Sequence, residues 1–241
     1  MSRTAQQERG ATAMAPSPAI PRHFHFIWFG GKPPSEYADY QMRWLDLHPG
    51  WGLRFWDEET LPKLYNQDLF DRAEEIAPGS EGQFRSDIAR LEILYAQGGV
   101  YVDFDMDPQH NIEPLLDGVA IGTFENPYLV SETECFFAWE EQGKWINNAI
   151  MGAAPKHPFI AALITGLRHR VAARQAVGVR PNVLSGPQYI TAKYEALKPD
   201  ITIFPQPLFY PYLWNELDKE GESFPQAYAI HRWNNKRKRR G

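Results

Sequence analysis

The sequence predicts one α/β domain, a central sheet flanked by helices, and three observations carry that expectation. The chain has 241 residues and 43% hydrophobic content, enough to bury a single substantial core. An extended aromatic run over 23–29 stops abruptly at Gly30-Gly31 and Pro33-Pro34, as a central strand feeding a loop would. The stretch 86–107, SDIARLEILYAQGGVYVDFDMD, reads as a helix, a glycine break and a strand.

Residues 1–19 are polar with scattered Ala and Pro, contain no apolar signal-like run, and are expected to form a disordered arm. The domain is expected over 20–235. Helical spacing of Tyr37, Tyr40, Trp44 and Leu47 predicts a helix over 35–47, ended by His48-Pro49-Gly50. Residues 53–56 alternate like a strand, and 61–64 and 69–76 predict short surface helices. A loop over 78–82 then delivers the chain to Ser86, the expected N-cap, with Asp87 at the positive end of the helix dipole. Ile88, Leu91, Leu94 and Tyr95 recur at helical spacing and give one buried stripe. Gly98-Gly99 ends that helix, since such an end needs a positive φ.

In the strand that follows, Val100, Val102, Phe104 and Met106 are expected on one face, and Tyr101, Asp103, Asp105 and Asp107 on the other. Beyond it, 119–123 reads as a buried strand, while 124–145 is aromatic and acidic without a period and receives no assignment. Pro158 suits the first position of a helix running to about Ala172, Pro187 that of a helix to Leu197, and 201–204 a short strand. Residues 236–241 form a basic tail, with Lys236, Arg237, Lys238, Arg239 and Arg240 in a row, on a chain whose formal charge is −5.

Composition excludes several classes. No run of about 18 apolar residues offers a membrane span. Cys135 stands alone, so no intramolecular disulfide can form, which fits a reducing cytoplasm. Neither a Walker A loop nor a GxGxxG fingerprint is present, so phosphate binding at a helix N-terminus is not indicated. Same-face carboxylates repel each other unless a cation sits among them, and an oxygen-rich set favours Mg²⁺ or Mn²⁺ over zinc. The alternative is a solvated edge strand, disfavoured because strands are depleted in Asp. A glycosidase would hold its two carboxyls about 5 Å or more apart across a sugar, unlike a tight DxD.

Ser86, Asp87, Arg90, Gly98, Gly99, Tyr101, Asp103 and Asp105 together form a longer pattern. It resembles the DXD-type sugar-nucleotide glycosyltransferases of family 32 (Och1-like and capsular-polysaccharide enzymes) and the glucosyltransferase domain of large clostridial toxins. The opening IPRHFHFIWFGG, the stretch 147–159, the turn Leu184-Ser185-Gly186-Pro187 and the segment 229–233 are similar to that family too, so the resemblance spans most of the chain. Lys156 stands where the family has glycine.

The resemblance implies a GT-A type nucleotide-sugar-binding fold with a mixed sheet and a site at the C-terminal ends of its central strands. It implies transfer of a hexosyl group from a UDP- or GDP-sugar with retention of configuration. Asp105 would ligate Mn²⁺ (or Mg²⁺), with Asp103 reaching the ribose or sharing the ion. His231 would either fold back as a further ligand or remain an ordinary surface residue. Asp87 and Arg90 would hold the donor sugar and phosphate, or form a purely structural pair. Trp28 would stack on the base, or pack in the core beside its turn. Tyr101, Asn148 and Trp233 complete the expected donor site.

The acceptor is left open among glycan, lipid-linked glycan, protein and nucleic acid. The segment 208–214 suits an acceptor-side surface or a satellite core, and the basic tail suits an anionic surface. Localisation is expected to be cytoplasmic, possibly peripheral at a membrane. Two further classes stay open: a metal-dependent phosphoryl or nucleotidyl enzyme, and a catalytically silent sugar-nucleotide or nucleic-acid binder.

Overall fold

A computed structural model describes residues 19–118, 120–123, 126–129, 133–173 and 178–234. The expected N-terminal arm (apart from residue 19), Val119 and the basic tail lie outside the described residues.

Strand β1 (His23–Ile27) is followed by helix α1 (Ala38–Leu47), strand β2 (Gly52–Trp56) and two short helices, α2 (Gln67–Asp71) and α3 (Ala73–Ile76). Helix α4 (Glu81–Gln97) leads into β3 (Gly99–Val102) and β4 (Met106–Pro108), then α5 (Glu113–Leu116), β5 (Ala120–Thr123) and β6 (Asn126–Leu129). Strands β7 (Cys135–Glu140) and β8 (Trp145–Ala153) precede helices α6 (Pro158–Ala173), α7 (Pro181–Leu184) and α8 (Pro187–Leu197). Strands β9 (Thr202–Phe204) and β10 (Ala229–His231) complete the described order.

Six strands form one mixed sheet in the order β2-β1-β3-β8-β7-β9. β1 runs parallel to β2 and β3, whereas β8 runs antiparallel to both of its neighbours, β3 and β7. The C-terminal ends of β1, β3 and β7 therefore share one edge with the N-terminal half of β8.

Both faces of the sheet are covered. On one side Val100 and Val102 join Phe24, Phe26, Trp44 and the aromatic residues 209–212. On the other, Tyr101 joins the α4 stripe, Phe84, Ile88 and Leu91, and apolar residues of α6 such as Ile160 and Leu163. A strand sandwiched in this way is buried at every position, as β3 is.

Gly98 (φ 66°) and Gly99 (φ 98°) make the turn from α4 into β3. A Cβ on Gly98 would meet Pro21 Cδ and Pro155 Cδ at 2.7 Å, and one on Gly99 would meet His23 at 2.9 Å. Both positions therefore require glycine for backbone angle and for space. His25 is fully buried, with Nε2 2.8 Å from Gly98 O and Nδ1 accepting from Trp56 Nε1 at 3.0 Å.

Four local expectations are corrected. Helix α4 begins at Glu81 with Ser80 as its cap, so Ser86 lies inside the helix and does not start it. Phe84, fully buried, extends the apolar stripe one turn upstream and holds that extra turn. No helix forms over 61–64, where an Asx turn intervenes: Asp57 Oδ1 accepts from the amides of Glu59 and Thr60. The predicted 69–76 helix is broken at Arg72 into α2 and α3. Finally, β3 stops at Val102 and the chain turns at 103–106 with Met106 N donating to Asp103 O; Val100, Val102, Phe104 and Met106 share one core as expected, but the strand does not continue to Asp107.

Candidate active site

The turn after β3 supplies the centre of the site. Asp103 N donates to Ala149 O on β8 at 2.7 Å, which fixes the turn against the sheet edge. Phe104 packs inward against Phe26, Trp28, Tyr37 and Phe55, leaving Asp103 and Asp105 to project from the turn. His231, at the end of β10, approaches from the far end of the described chain. Its Nε2 lies 3.1 Å from Asp105 Oδ1, and ligand atoms of Asp103, Asp105 and His231 all lie within 4.8 Å of one another.

The third carboxylate goes elsewhere. Asp107 is buried among Arg43 and Arg232 and does not join the other two, which corrects the expected same-face trio. A turn between Val102 and Met106 changes the phase of the side chains, and alternation holds only along one uninterrupted strand.

Asp87 and Arg90, on one face of α4, reach the same edge. Arg90 is 4% exposed and spans Asp87 Oδ1 and Asp103 Oδ1, both at 3.3 Å, while donating to Asn148 O at 2.6 Å. Burial works against its charge, but Tyr101, Asp103 and Asp87 more than offset that, so the guanidinium is held cationic. Asp87 is fixed on both oxygens: Asn148 Nδ2 donates to Oδ1 at 2.9 Å and Ser185 Oγ to Oδ2 at 2.7 Å. Burial pushes its carboxyl above the ordinary range, opposed by Arg90 and by these two donors.

The two acids of the turn are driven apart. Burial raises Asp103, assisted by repulsion from Asp105, against the pull of Arg90. Burial also opposes ionisation of Asp105, but the charge and hydrogen bond of His231 and the Asn234 amide at 2.9 Å bring it below the usual carboxylate range. Conversely His231, which burial would hold neutral, is raised by Asp105.

All nine expected site residues line one cleft of about 900 Å³: Trp28, Asp87, Arg90, Tyr101, Asp103, Asp105, Asn148, His231 and Trp233, with Tyr37 beside them as an unforeseen neighbour. Their situations differ. Trp28 is half-buried, its ring edge-on to Phe104 at 5.2 Å. Tyr101 donates its hydroxyl to Asp103 and lies under the Arg90 guanidinium at 4.3 Å, so it positions the acid. Trp233 is 6% exposed, packs 4.0 Å from the His231 ring and donates from Nε1 to Tyr212 O at 3.1 Å, forming a wall more than a platform.

Sequence reasoning missed two groups. Glu140, 7% exposed at the end of β7, lines the cleft and accepts from Asn147 Nδ2. Asn147 Oδ1 in turn accepts from Ala149 N at 2.8 Å, which fixes the orientation of its amide. Glu140 lies inside the unassigned stretch 124–145, where no periodicity pointed to it, while Asn147 lies just beyond it, in the stretch 147–159, and was given no role. Ser185 was read only as part of a turn, although its hydroxyl anchors Asp87.

The donor set fits a divalent cation. Two carboxylates and an imidazole suit Mn²⁺ better than Mg²⁺, and the His231 ring is hydrogen-bonded through Asp105 while its Nδ1 is buried without a hydrogen-bond partner.

Fold and site together are similar to those of DXD-type glycosyltransferases of the GT-A kind. Residues 34–121 match the family described as glycosyltransferase sugar-binding region containing DXD motif. The chain is 27% identical over 151 residues to inositol phosphoceramide mannosyltransferase 3 of Schizosaccharomyces pombe, a stretch covering 63% of this chain and 38% of that protein. It is 23% identical over 224 residues to inositol phosphoceramide mannosyltransferase 2 of the same yeast, covering 90% and 59%. The chain thus spans less than two thirds of the length of either relative. Among solved structures, PaToxG glycosyltransferase superposes with a TM-score of 0.53 at 16% identity, covering 76% of this chain and 72% of that one. Among the described residues no helix is long and apolar enough to cross a membrane.

Proposed function

We propose that this chain moves a hexosyl group from a nucleoside diphosphate sugar to a hydroxyl acceptor, with a divalent cation and with retention of configuration. The observation that carries the reading is the convergence of Asp103, Asp105 and His231 on the cleft that Asp87 and Arg90 also face. The three would hold Mn²⁺, which when bound supplies Lewis-acid neutralisation of the diphosphate leaving group. Arg90, fixed and cationic, adds positive charge beside the phosphates, and costs no reorganisation during reaction. Asp87, oriented by Asn148 and Ser185, offers its remaining acceptor capacity to a donor-sugar hydroxyl. Trp28 presents its ring to the base.

The names of the yeast relatives favour mannose as the transferred sugar and a phosphoinositol-type lipid as the acceptor. The run Lys236 to Arg240 would then draw the enzyme to an anionic membrane surface, with about 1 kcal/mol per basic residue, screened by salt. The lone buried Cys135 is in keeping with work in a reducing cytoplasm.

The test is incubation of the protein with UDP- and GDP-hexoses, GDP-mannose among them, in Mn²⁺, Mg²⁺ or EDTA. Slow Mn²⁺-dependent release of free sugar is expected. Release of sugar 1-phosphate would point instead to phosphoryl or nucleotidyl chemistry, and binding without turnover to a silent binder.

A further inference from the structure

We propose that Asp107 and Arg232 form a latch that holds His231 in the cation site, making them positioning residues for metal binding. The proposal rests on the reading of Asp103, Asp105 and His231 as cation ligands.

His231 belongs to a strand that is not paired into the main sheet. β10 pairs with β4 in a separate two-stranded antiparallel sheet, with His231 opposite Met106 and Ile230 opposite Asp107. Three register pairs give few backbone hydrogen bonds, and a two-stranded ribbon is marginal by itself. Just past it, Trp233 adopts φ 54°, in the left-handed region that a bulky L-residue rarely occupies. Something must therefore hold this strap against fraying and against that strain.

Asp107 is placed to do so. It is 3% exposed and sits on β4, two residues beyond Asp105. Arg232, the residue after His231, grips one oxygen of Asp107 through Nε at 3.1 Å and also through Nη2. Arg43 of α1 approaches the other oxygen at 2.6 Å, as a charge contact without an aligned hydrogen bond. The backbone repeats the connection, since Arg232 N donates to Asp105 O at 2.9 Å. α1 braces the same point, with Trp44 Nε1 donating to Met106 O at 3.0 Å. Side chains of residues 105 and 231 thus face the cleft while those of 107 and 232 clamp the two strands from behind. A fork that grips with Nε and Nη2 fixes direction as well as distance, which a lysine ammonium cannot reproduce.

The latch makes a prediction opposite in sign to simple electrostatics. If Arg232 acted only through its charge, removing that cation would tighten binding of Mn²⁺ nearby. If it acts as a latch, removal frees His231 and weakens binding. The measurement uses the full chain, with Mn²⁺ as the probe, followed by electron paramagnetic resonance. Amide hydrogen exchange of the 229–234 segment and thermal melting are recorded in parallel. Arg232→Met and Asp107→Asn are each expected to raise the Mn²⁺ dissociation constant about tenfold, the lower end of the usual range for residues that orient a metal ligand. Arg232→Lys, which keeps the charge, should weaken binding in the same direction. The effects of the two substitutions on Mn²⁺ binding should be less than additive in the double variant, because both break the Arg232–Asp107 contact. Exchange over 229–234 should rise in each.

Should Arg232→Met fail to melt cooperatively, Arg43→Met on the half-exposed face removes only the outer contact, with about a threefold effect expected on the Mn²⁺ dissociation constant. Tighter or unchanged Mn²⁺ binding in Arg232→Met, or in Arg43→Met where that variant stands in, overturns the latch. Wild-type protein that takes up no Mn²⁺ overturns the cation reading itself, and the proposal with it.

Discussion

Asp105 and His231 stand 126 positions apart in the chain, yet Oδ1 and Nε2 meet at 3.1 Å. The contact joins the turn after β3 to the end of β10 and brings both to the cleft that Asp87 and Arg90 also line.

Asp105→Asn is expected to reduce sugar release from the donor by on the order of 10²–10³-fold, the usual loss when one charge-stabilising group is removed. The amide keeps the shape and can still accept from the Asn234 amide, and repulsion with Asp103 is relieved, so the apo melting temperature should stay within a few degrees. Turnover and melting of the same preparation decide it. Full activity in saturating Mn²⁺ would remove Asp105 from the cation site.

Trp28→Ala should weaken donor binding about tenfold, on the scale of about 1–3 kcal/mol for one base stacked on an aromatic ring. Titration calorimetry with UDP and GDP gives the number. Because Trp28 also packs on Phe104 and Tyr37, melting is measured beside it, and unchanged nucleotide affinity in a folded variant would return the ring to the core.

Stability should fall as pH drops from about 6.5 toward 4. Burial lowers the His25 pKa to about 4, and the ring is locked neutral because Nδ1 accepts from Trp56 while Nε2 faces Gly98 O. The unfolded chain takes up a proton at about 6.5, so the contribution of His25 is complete above that pH and is lost below it, at most about 3 kcal/mol. Burial lowers His48 as well, and its Nε2 accepts from Ile112 N, so its contribution has the same sign. His231, raised by Asp105, contributes in the opposite sense: its share is present at low pH and is lost as pH rises through the folded value. Urea midpoints between pH 7.5 and 5 test the net direction, and a flat profile would contradict the burial argument.

Lys156→Gly should stabilise the fold by a few tenths to about 1 kcal/mol. Lys156 has φ 62°, a left-handed angle that costs a residue with a Cβ about 1–2 kcal/mol, against which the extra chain entropy of glycine weighs about 0.4–1 kcal/mol. The sequence noted that glycine is usual at this place in the family, and the loop keeps a glycine-like backbone, its amide donating to Tyr95 O at 2.7 Å. Denaturant midpoints of the two chains are the comparison.

Much of this was legible in the sequence because the relevant signals are local. The α4 stripe, the Gly98-Gly99 turn, the aromatic β1 and the pair Asp103/Asp105 each follow from spacing or from a backbone demand met within a few residues. The divergence of Asp107 was not legible, since it depends on a turn that places Arg232 and Arg43 beside it from distant parts of the chain. Glu140 was hidden for another reason. β7 is packed between β8 and β9 with nearly every position buried, so it shows no alternation, and its functional end looks like more of the same apolar, acidic run.

The distance along the chain between Asp105 and His231 also sets a timetable. At about 5–20 residues per second of synthesis, the 126 positions separating them take roughly 6–25 s to emerge. Throughout that interval the ribosome-bound chain carries both turn carboxylates without their imidazole partner. A product stalled or clipped between Pro108 and Ala229 would keep the DXD sequence and still lack the complete cation site. Assembly of the three groups is thereby tied to a chain that reaches His231 and not to the motif alone.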